Sequence, residues 1–340
     1  MRRRSVFVAA SAAVLLVVAG CTAIVVINGS RTAEQAVRDY VTLIAEGDGA
    51  AANALVDPRG HDDGNGGNVD PARLAKGLRS ATAHITIEKI TDAVSVPEKA
   101  DTVSVDVYYS LSGGHGSATL RVRRESGAFG VLDQWRVVDP LLVPVSFRTG
   151  VPTLDTARLG AARVPVAGPK LGGYPQRTVL LYPAQYRVRG QQSKYLDAPS
   201  ERVTVASMGE PSHPLRPQVT YRPSPKLRRL VLDRTKQHVR RCVSAGAAMA
   251  SNCPEKLQIW SDFATNIEVT GSPRLETLTV RQTNYHADGT TEPALYFRTE
   301  SLRLTYTTSA GQTDSEGMRV VGHVSVASDG SVDVTFVSSL

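Results

Sequence analysis

Cysteine is scarce in this chain, with 3 residues in 340, alongside 4 methionines and 2 tryptophans. That scarcity excludes a disulfide-stapled miniature scaffold and any multi-cysteine zinc or iron–sulfur module, which need more thiols at close spacing. Aromatic residues make up 6% of the chain. They are too seldom interleaved with basic residues to form the stacking platforms that hold single-stranded nucleic acid, so no nucleic-acid partner is expected. Catalytic signatures are also missing: no Gly-x-Ser-x-Gly elbow, no Ser-x-x-Lys, no glycine-rich phosphate loop. The histidines (His61, His84, His115, His213, His238, His286 and His323) are scattered, with no pair at the spacing of a helical metal site. The expectation is a chain that is not an enzyme and carries no cofactor and no metal. Long apolar runs are absent after Ile27, so membrane contact is expected through the first 30 residues.

Those first residues are distinctive. Arg2, Arg3 and Arg4 precede an apolar run from Val6 to Ile27, interrupted by Ser11, Gly20, Cys21 and Thr22. Within it, Val18-Ala19-Gly20-Cys21 resembles the lipobox of bacterial lipoproteins. The resemblance implies cleavage before Cys21 and lipidation of its thiol. Ala19 and Gly20 supply the small residues a signal peptidase site needs. Ala23-Ile24-Val25-Val26-Ile27 extends the run beyond the cysteine, so its length also suits a single spanning helix of about 20 residues. Under either reading the positive-inside rule leaves Arg2–Arg4 in the cytoplasm and exports the rest. The expected location is the extracytoplasmic face of the cell membrane, anchored by residues 1–30.

With Cys21 assigned to lipid, Cys242 and Cys253 remain as a pair with ten residues between them. In an oxidising compartment a disulfide is the favoured reading. A metal site would need further ligands close by, and only His238 is near.

Along the chain, Thr32-Ala33-Glu34-Gln35 reads as a capping box opening a helix whose apolar residues Ala36, Val37, Tyr40, Val41, Leu43 and Ile44 recur at helical spacing, with Gly47 as its stop. A short helix follows over Ala50–Val56, and a Gly/Asp/Asn-rich loop over Asp57–Asn68. Asp70-Pro71 then starts a third helix running to about Leu78. The His61–Asp70 stretch superficially resembles a calcium loop. Gly67 and Leu74 occupy positions where ligands are required, and a solvated loop is expected. The period then changes to two. Strands are predicted around Ile85–Ile90, Val103–Leu111, Ala118–Val122 and Trp135–Val138, with Gly113–Gly116 as the turn of the central hairpin.

Helices followed by an antiparallel meander give an α+β order. The segments TAEQAVRDYVTLIAEGDGAAANALV and TVSVDVYYSLSGGHGSATLRVRRESG…DQWRVVD resemble the nuclear transport factor 2-like, cystatin-like domains of bacterial surface lipoproteins. The resemblance covers roughly residues 31–140. It implies a sheet wrapped over a helix and transfers no functional residue. Tyr40, Tyr108, Tyr109 and Trp135 are candidates for lining the cavity of such a cone, or for ordinary core positions.

Residues 141–223 are proline-rich, which excludes long helices and points to a small β module with Pro211–Pro223 as a stiff linker. Ser224-Pro225 opens a further helix, and strands follow to the end. Residues 224–340 are therefore read as a second α+β domain of the same plan. This helix concentrates the positive charge: Arg222, Lys226, Arg228, Arg229, Arg234, Lys236, Arg240 and Arg241 stand against Asp233. They could be a solvated outer face. The second reading, behind that one, is docking on anionic envelope polymer or lipid headgroups, with Arg228, Arg229, Lys236 and Arg240 as the candidate contacts. The functional expectation is an envelope-anchored, non-catalytic accessory or binding lipoprotein, partnered by the membrane and by anionic polymer or another envelope protein. Two alternatives stand beside it: a single-pass component of a secretion or conjugation assembly, and a cavity enzyme.

Overall fold

A computed structural model describes residues 32–62, 68–96, 101–126, 133–151, 153–168, 170–171, 174–207, 215–245, 251–261, 264–283 and 292–337. It is a mixed α+β structure built mainly from antiparallel sheets. The N-terminal run with Cys21 lies outside the described residues. Among those described, no helix is long and apolar enough to cross a membrane.

The first helices are α1 (Ala33–Ala45), α2 (Gly49–Leu55) and α3 (Pro71–Arg79). Each begins where a side chain can take an orphan N–H: Thr32 accepts from Gln35, Asp48 from Ala51, Asp70 from Ala72 and Arg73. The capping box at α1 is only half formed. The Gln35 amide donates to Asp39 Oδ1 at 2.6 Å, one helical turn on, and does not return to Thr32. Gly47 ends α1 at φ +78°, a conformation glycine adopts without penalty. The loop expected after Val56 contains a 3-10 turn over Pro58–Gly60 and a bridge between Asp62 and Asn68. Asp63 to Gly67 lie outside the described residues.

Then come β1 (Ala83–His84), β2 (Thr86–Ile90), β3 (Val94–Ser95), β4 (Thr102–Leu111), β5 (Gly114–Ser126) and β6 (Asp133–Val137). The order β2-β4-β5-β6 is an antiparallel meander, with β3 on the edge of β4. Val105, Val107, Tyr109 and Leu111 alternate into the core and meet α1. The central turn differs from expectation. Leu111 pairs with Gly114, so Ser112 and Gly113 alone make the connection, both at positive φ (52° and 84°), as a two-residue primed turn demands. Gly114, His115 and Gly116 are strand residues. Gly116 is needed there because the Tyr109 ring would lie 2.5 Å from an added Cβ.

The middle segment holds β7 (Val143–Thr149), β8 (Thr156–Leu159), β9 (Ala162–Pro165), β10 (Lys170–Leu171), β11 (Tyr174–Leu181), β12 (Ala184–Gly190), β13 (Leu196–Asp197), β14 (Ser200–Val205), β15 (Gln218–Val219) and β16 (Arg222–Pro223). Among its described residues there is no helix. Three sheets form: β10-β11-β7-β15, a second in which β12 pairs with β14 on one edge and with β1 and β8 on the other, β9 following β8, and the two-stranded β13-β16. Of the segment read as a linker, Leu215 to Val219 run parallel to β7, and Arg222–Pro223 pair with β13. Residues 211–214 lie outside the described residues.

The last segment comprises α4 (Pro225–Ala245), α5 (Glu255–Ser261), β17 (Ala264–Thr270), β18 (Leu275–Thr283), β19 (Glu292–Thr299), β20 (Leu302–Thr308), β21 (Thr313–Met318), β22 (Val321–Val326) and β23 (Val332–Val337). Two sheets are present, β17-β20-β21 and β18-β19-β22-β23, and they are halves of one bent meander. The run β19–β20 breaks only at Glu300 and Ser301, and β21–β22 only at Arg319 and Val320. Pairing carries through the bend: the Thr299 N–H donates to Val320 O and the Val320 N–H to Thr299 Oγ1, both at 3.0 Å. A helix followed by a four-stranded antiparallel meander thus occurs at both ends of the chain. A continuous apolar core runs from Ala33 to Phe336 through all three segments.

Candidate functional site

Ser224 caps α4: its Oγ accepts the Leu227 N–H at 3.3 Å, and Pro225 occupies the first helical position, where no N–H is needed. Leu227, Val231, Thr235, His238, Val239 and Cys242 are buried along one face. Thr235 is tolerated there because its hydroxyl donates to Val231 O at 2.7 Å. Everything charged faces outward. Lys226, Arg228, Arg229, Arg234, Lys236, Arg240 and Arg241 are all exposed, and none makes an ion pair with a described residue.

Some arginines elsewhere in the protein are paired. Arg121 makes a two-pronged contact with Asp139, and Arg298 reaches Glu276 at 2.6 Å. On α4 the arrangement even works against the helix: its first turn carries Lys226 and Arg228 with no acid, at the end where the dipole disfavours cations. At about 100° per residue, Arg229, Lys236 and Arg240 fall within about 40° of one another. Arg228 lies about 80° round from Lys236, so three of the four candidate contacts share a ridge and Arg228 stands apart. Arg234 and Arg241 form a second ridge on the opposite flank.

The C-terminal end of α4 is tied down. Cys242 and Cys253 form a disulfide with their Cα atoms 5.8 Å apart. His238, one turn before Cys242, places Nε2 3.0 Å from Asn252 O and 3.6 Å from the Cys242 sulfur. Its ring stacks on Phe336, with centroids 3.9 Å apart and planes within 2°. The bond to a carbonyl puts the proton on Nε2. Burial pushes the pKa of His238 down, and the nearby Arg241 charge adds to this against the favourable Asn252 bond, so the ring is held neutral. A cleft of about 470 Å³ opens here, lined by His238, Arg241, Cys242, Asn252, Cys253 and Phe336 among others. His238, Cys242 and Cys253 bring ligand atoms within 4.8 Å of one another. With both sulfurs committed to the S–S bond, this set offers no thiolate to a metal.

The four aromatic candidates do not converge on a cavity. Tyr40 and Tyr109 are fully buried. The Tyr40 oxygen accepts the Leu141 N–H at 3.0 Å, and that of Tyr109 accepts the Ser207 N–H at 2.9 Å. Tyr108 points to the other sheet face and is 41% exposed, while Trp135 is half-buried against the core. None of them lines the cleft beside His238. Sequence reasoning missed Phe336 as the partner of His238, because the long stretch of chain between them leaves no pattern joining a helix to the last strand; only strand pairing of β23 with β22 brings it there.

No family model, curated protein or solved structure matches the chain.

Proposed function

We propose that this chain is a non-catalytic accessory or binding protein, held at the extracytoplasmic face of a membrane by residues 1–30, with Cys21 as the lipid-bearing residue. The observation that carries the reading is α4: seven exposed cations with no ion pair to a described residue, maintained where the helix dipole opposes two of them. A surface kept charged at a cost to stability suits an anionic partner in the cell envelope, by long-range attraction that ordinary salt screens over about 8 Å. The helix-then-meander order at both ends supports reading the chain as tandem cystatin-like domains flanking a β module. It also favours a second reading, a component of a secretion or conjugation assembly, which has the same anchored, tandem plan.

The test has two parts. Intact mass of the membrane-bound protein should begin at a lipid-modified Cys21, and Cys21→Ala should abolish processing; an unprocessed Met1 terminus would instead mark a spanning anchor. A fragment of residues 31–340 should associate with anionic vesicles or isolated wall polymer and release as salt rises. Replacing Arg229, Lys236 and Arg240 with Gln should remove most of that association. Saturable one-to-one binding to a membrane-protein partner, without affinity for anionic surfaces, would favour the assembly reading.

A further inference from the structure

A second basic surface lies on the middle sheet, and strand register, not sequence proximity, creates it. Arg163 on β9 stands directly opposite Arg158 on β8, and Arg158 stands directly opposite Arg189 on β12. Two residues before Arg189 on the same face, Arg187 stands directly opposite Arg202 on β14. All five side chains are exposed, while the alternate residues Ala157, Leu159, Ala162, Val164, Tyr186 and Val188 are buried on the inner face. Five arginines therefore occupy one outer face across four adjacent strands.

Like charges at directly opposite positions destabilise a sheet, and neutralising carboxylates would normally be placed among them. Among the described residues of this face there are none. The rest of the face is Thr156, Pro165, Gln185, Ser200 and Thr204. Glu201, the nearest acid in sequence, belongs to the other alternation of β14, where it accepts from Thr220. None of the five arginines makes an ion pair with a described residue. Among the described residues, only Arg189 of the five has a polar partner, the Ala198 carbonyl at 3.1 Å.

We propose that this face binds a linear, phosphate-bearing polyanion. Guanidinium groups present paired N–H donors that match phosphate oxygens two at a time. Successive strands set them about 4.8 Å apart along the row, over a footprint elongated from β9 to β14. The composition of the face selects against a lipid bilayer and against nucleic acid. It holds no large apolar or aromatic side chain to enter a bilayer interface, and none on which a nucleobase could stack. What remains is a chain of phosphates without bases and without a lipid phase. The proposal does not depend on α4 or on the membrane anchor.

The test uses the purified full chain in non-ionic detergent, with inorganic polyphosphate as the probe and binding followed by calorimetry. Wild type should bind, and a fourfold rise in salt should weaken binding by on the order of a hundredfold if about five phosphates are neutralised. Replacing Arg158, Arg163, Arg187 and Arg202 with Gln should cut affinity tenfold or more, with a melting temperature equal to or above that of wild type, since facing like charges are removed. A variant with Lys at the four positions keeps the charge and the fold, and should bind more weakly than wild type because the two-pronged geometry is lost. The α4 variant with Gln at 229, 236 and 240 should bind polyphosphate as wild type does. The proposal is overturned if wild type shows no affinity at 50 mM salt, or if the four-Gln variant binds unchanged. It is equally overturned if the α4 variant loses the same affinity, or if anionic vesicles or a single-stranded oligonucleotide bind this face better than polyphosphate.

Discussion

Tyr182 donates its hydroxyl proton to Asn53 Oδ1 at 2.8 Å, joining the corner between β11 and β12 to helix α2 across 129 positions of sequence. The bond sits within a relay. The Leu141 N–H donates to the Tyr40 hydroxyl, which lies beside that of Tyr182, and the Asn53 amide donates to Pro71 O at 2.8 Å. Tyr186 adds a bond from its hydroxyl to Tyr182 O. Three helices and the middle segment are thereby fastened through buried, mutually satisfied polar groups, the arrangement in which losing one member costs most.

Tyr182→Phe should therefore destabilise the protein by about 1–3 kcal/mol, because it leaves the part-buried Asn53 oxygen without its donor. Thermal or urea unfolding followed by circular dichroism measures it. A change within error of zero would mean water replaces the hydroxyl.

The same network sets an alkaline limit. Burial raises the Tyr182 hydroxyl to about 12, and pushes Tyr40 and Tyr186 up as well. A raised folded-state value means that the folded protein keeps protons the unfolded chain gives up. The stability contributed by these protons is complete below pH 10 and lost as pH rises from about 10 through about 12. A urea midpoint that falls steeply over that window, and less steeply in Tyr182→Phe, is the expected result.

On the acid side the sign reverses. Burial lowers the pKa of both His238 and His323, so below about 6.5 the unfolded chain takes up protons that the folded one refuses. Stability should fall as pH drops below that value. His238→Gln with His323→Gln should flatten the slope between pH 6.5 and 5, read from midpoints at half-unit steps.

The Cys242–Cys253 bond closes a loop of 11 residues. Cys242→Ser with Cys253→Ser should cost about 3 kcal/mol by the chain-entropy estimate. Denaturant titration of the wild type with and without a reducing agent should give a difference of the same size.

At the β4–β5 turn, Ser112 holds φ 52° beside Gly113 at φ 84°. Asparagine tolerates the left-handed region better than serine and Asn-Gly is the favoured pair for this turn, so Ser112→Asn should stabilise by a few tenths to about 1 kcal/mol. Gly113→Val should destabilise by about 1–2 kcal/mol. Paired melting curves decide both.

Local chemistry was legible from the residues alone. Thr32, Asp70-Pro71 and Ser224-Pro225 are helix starts because a short side-chain oxygen next to the first turn satisfies N–H groups that nothing else can reach. The alternation from Val105 to Leu111 could only serve a half-buried strand. The proline density of residues 141–223 forbade long helices. The cations of α4 were visible because they are neighbours in sequence. What only the tertiary structure decided is which distant residues meet. Nothing in residues 40, 53 and 182 marks them as one network, and nothing in 158, 163, 187, 189 and 202 marks them as one face. A strand reveals which side its residues take by alternation, but not which strand lies beside it, and a one-residue change of register would turn every side chain to the other face. Pairing is chosen by burial of the whole core, so the arginine face, the seating of His238 on Phe336 and the bend that makes one meander out of two sheets exist only in the folded chain.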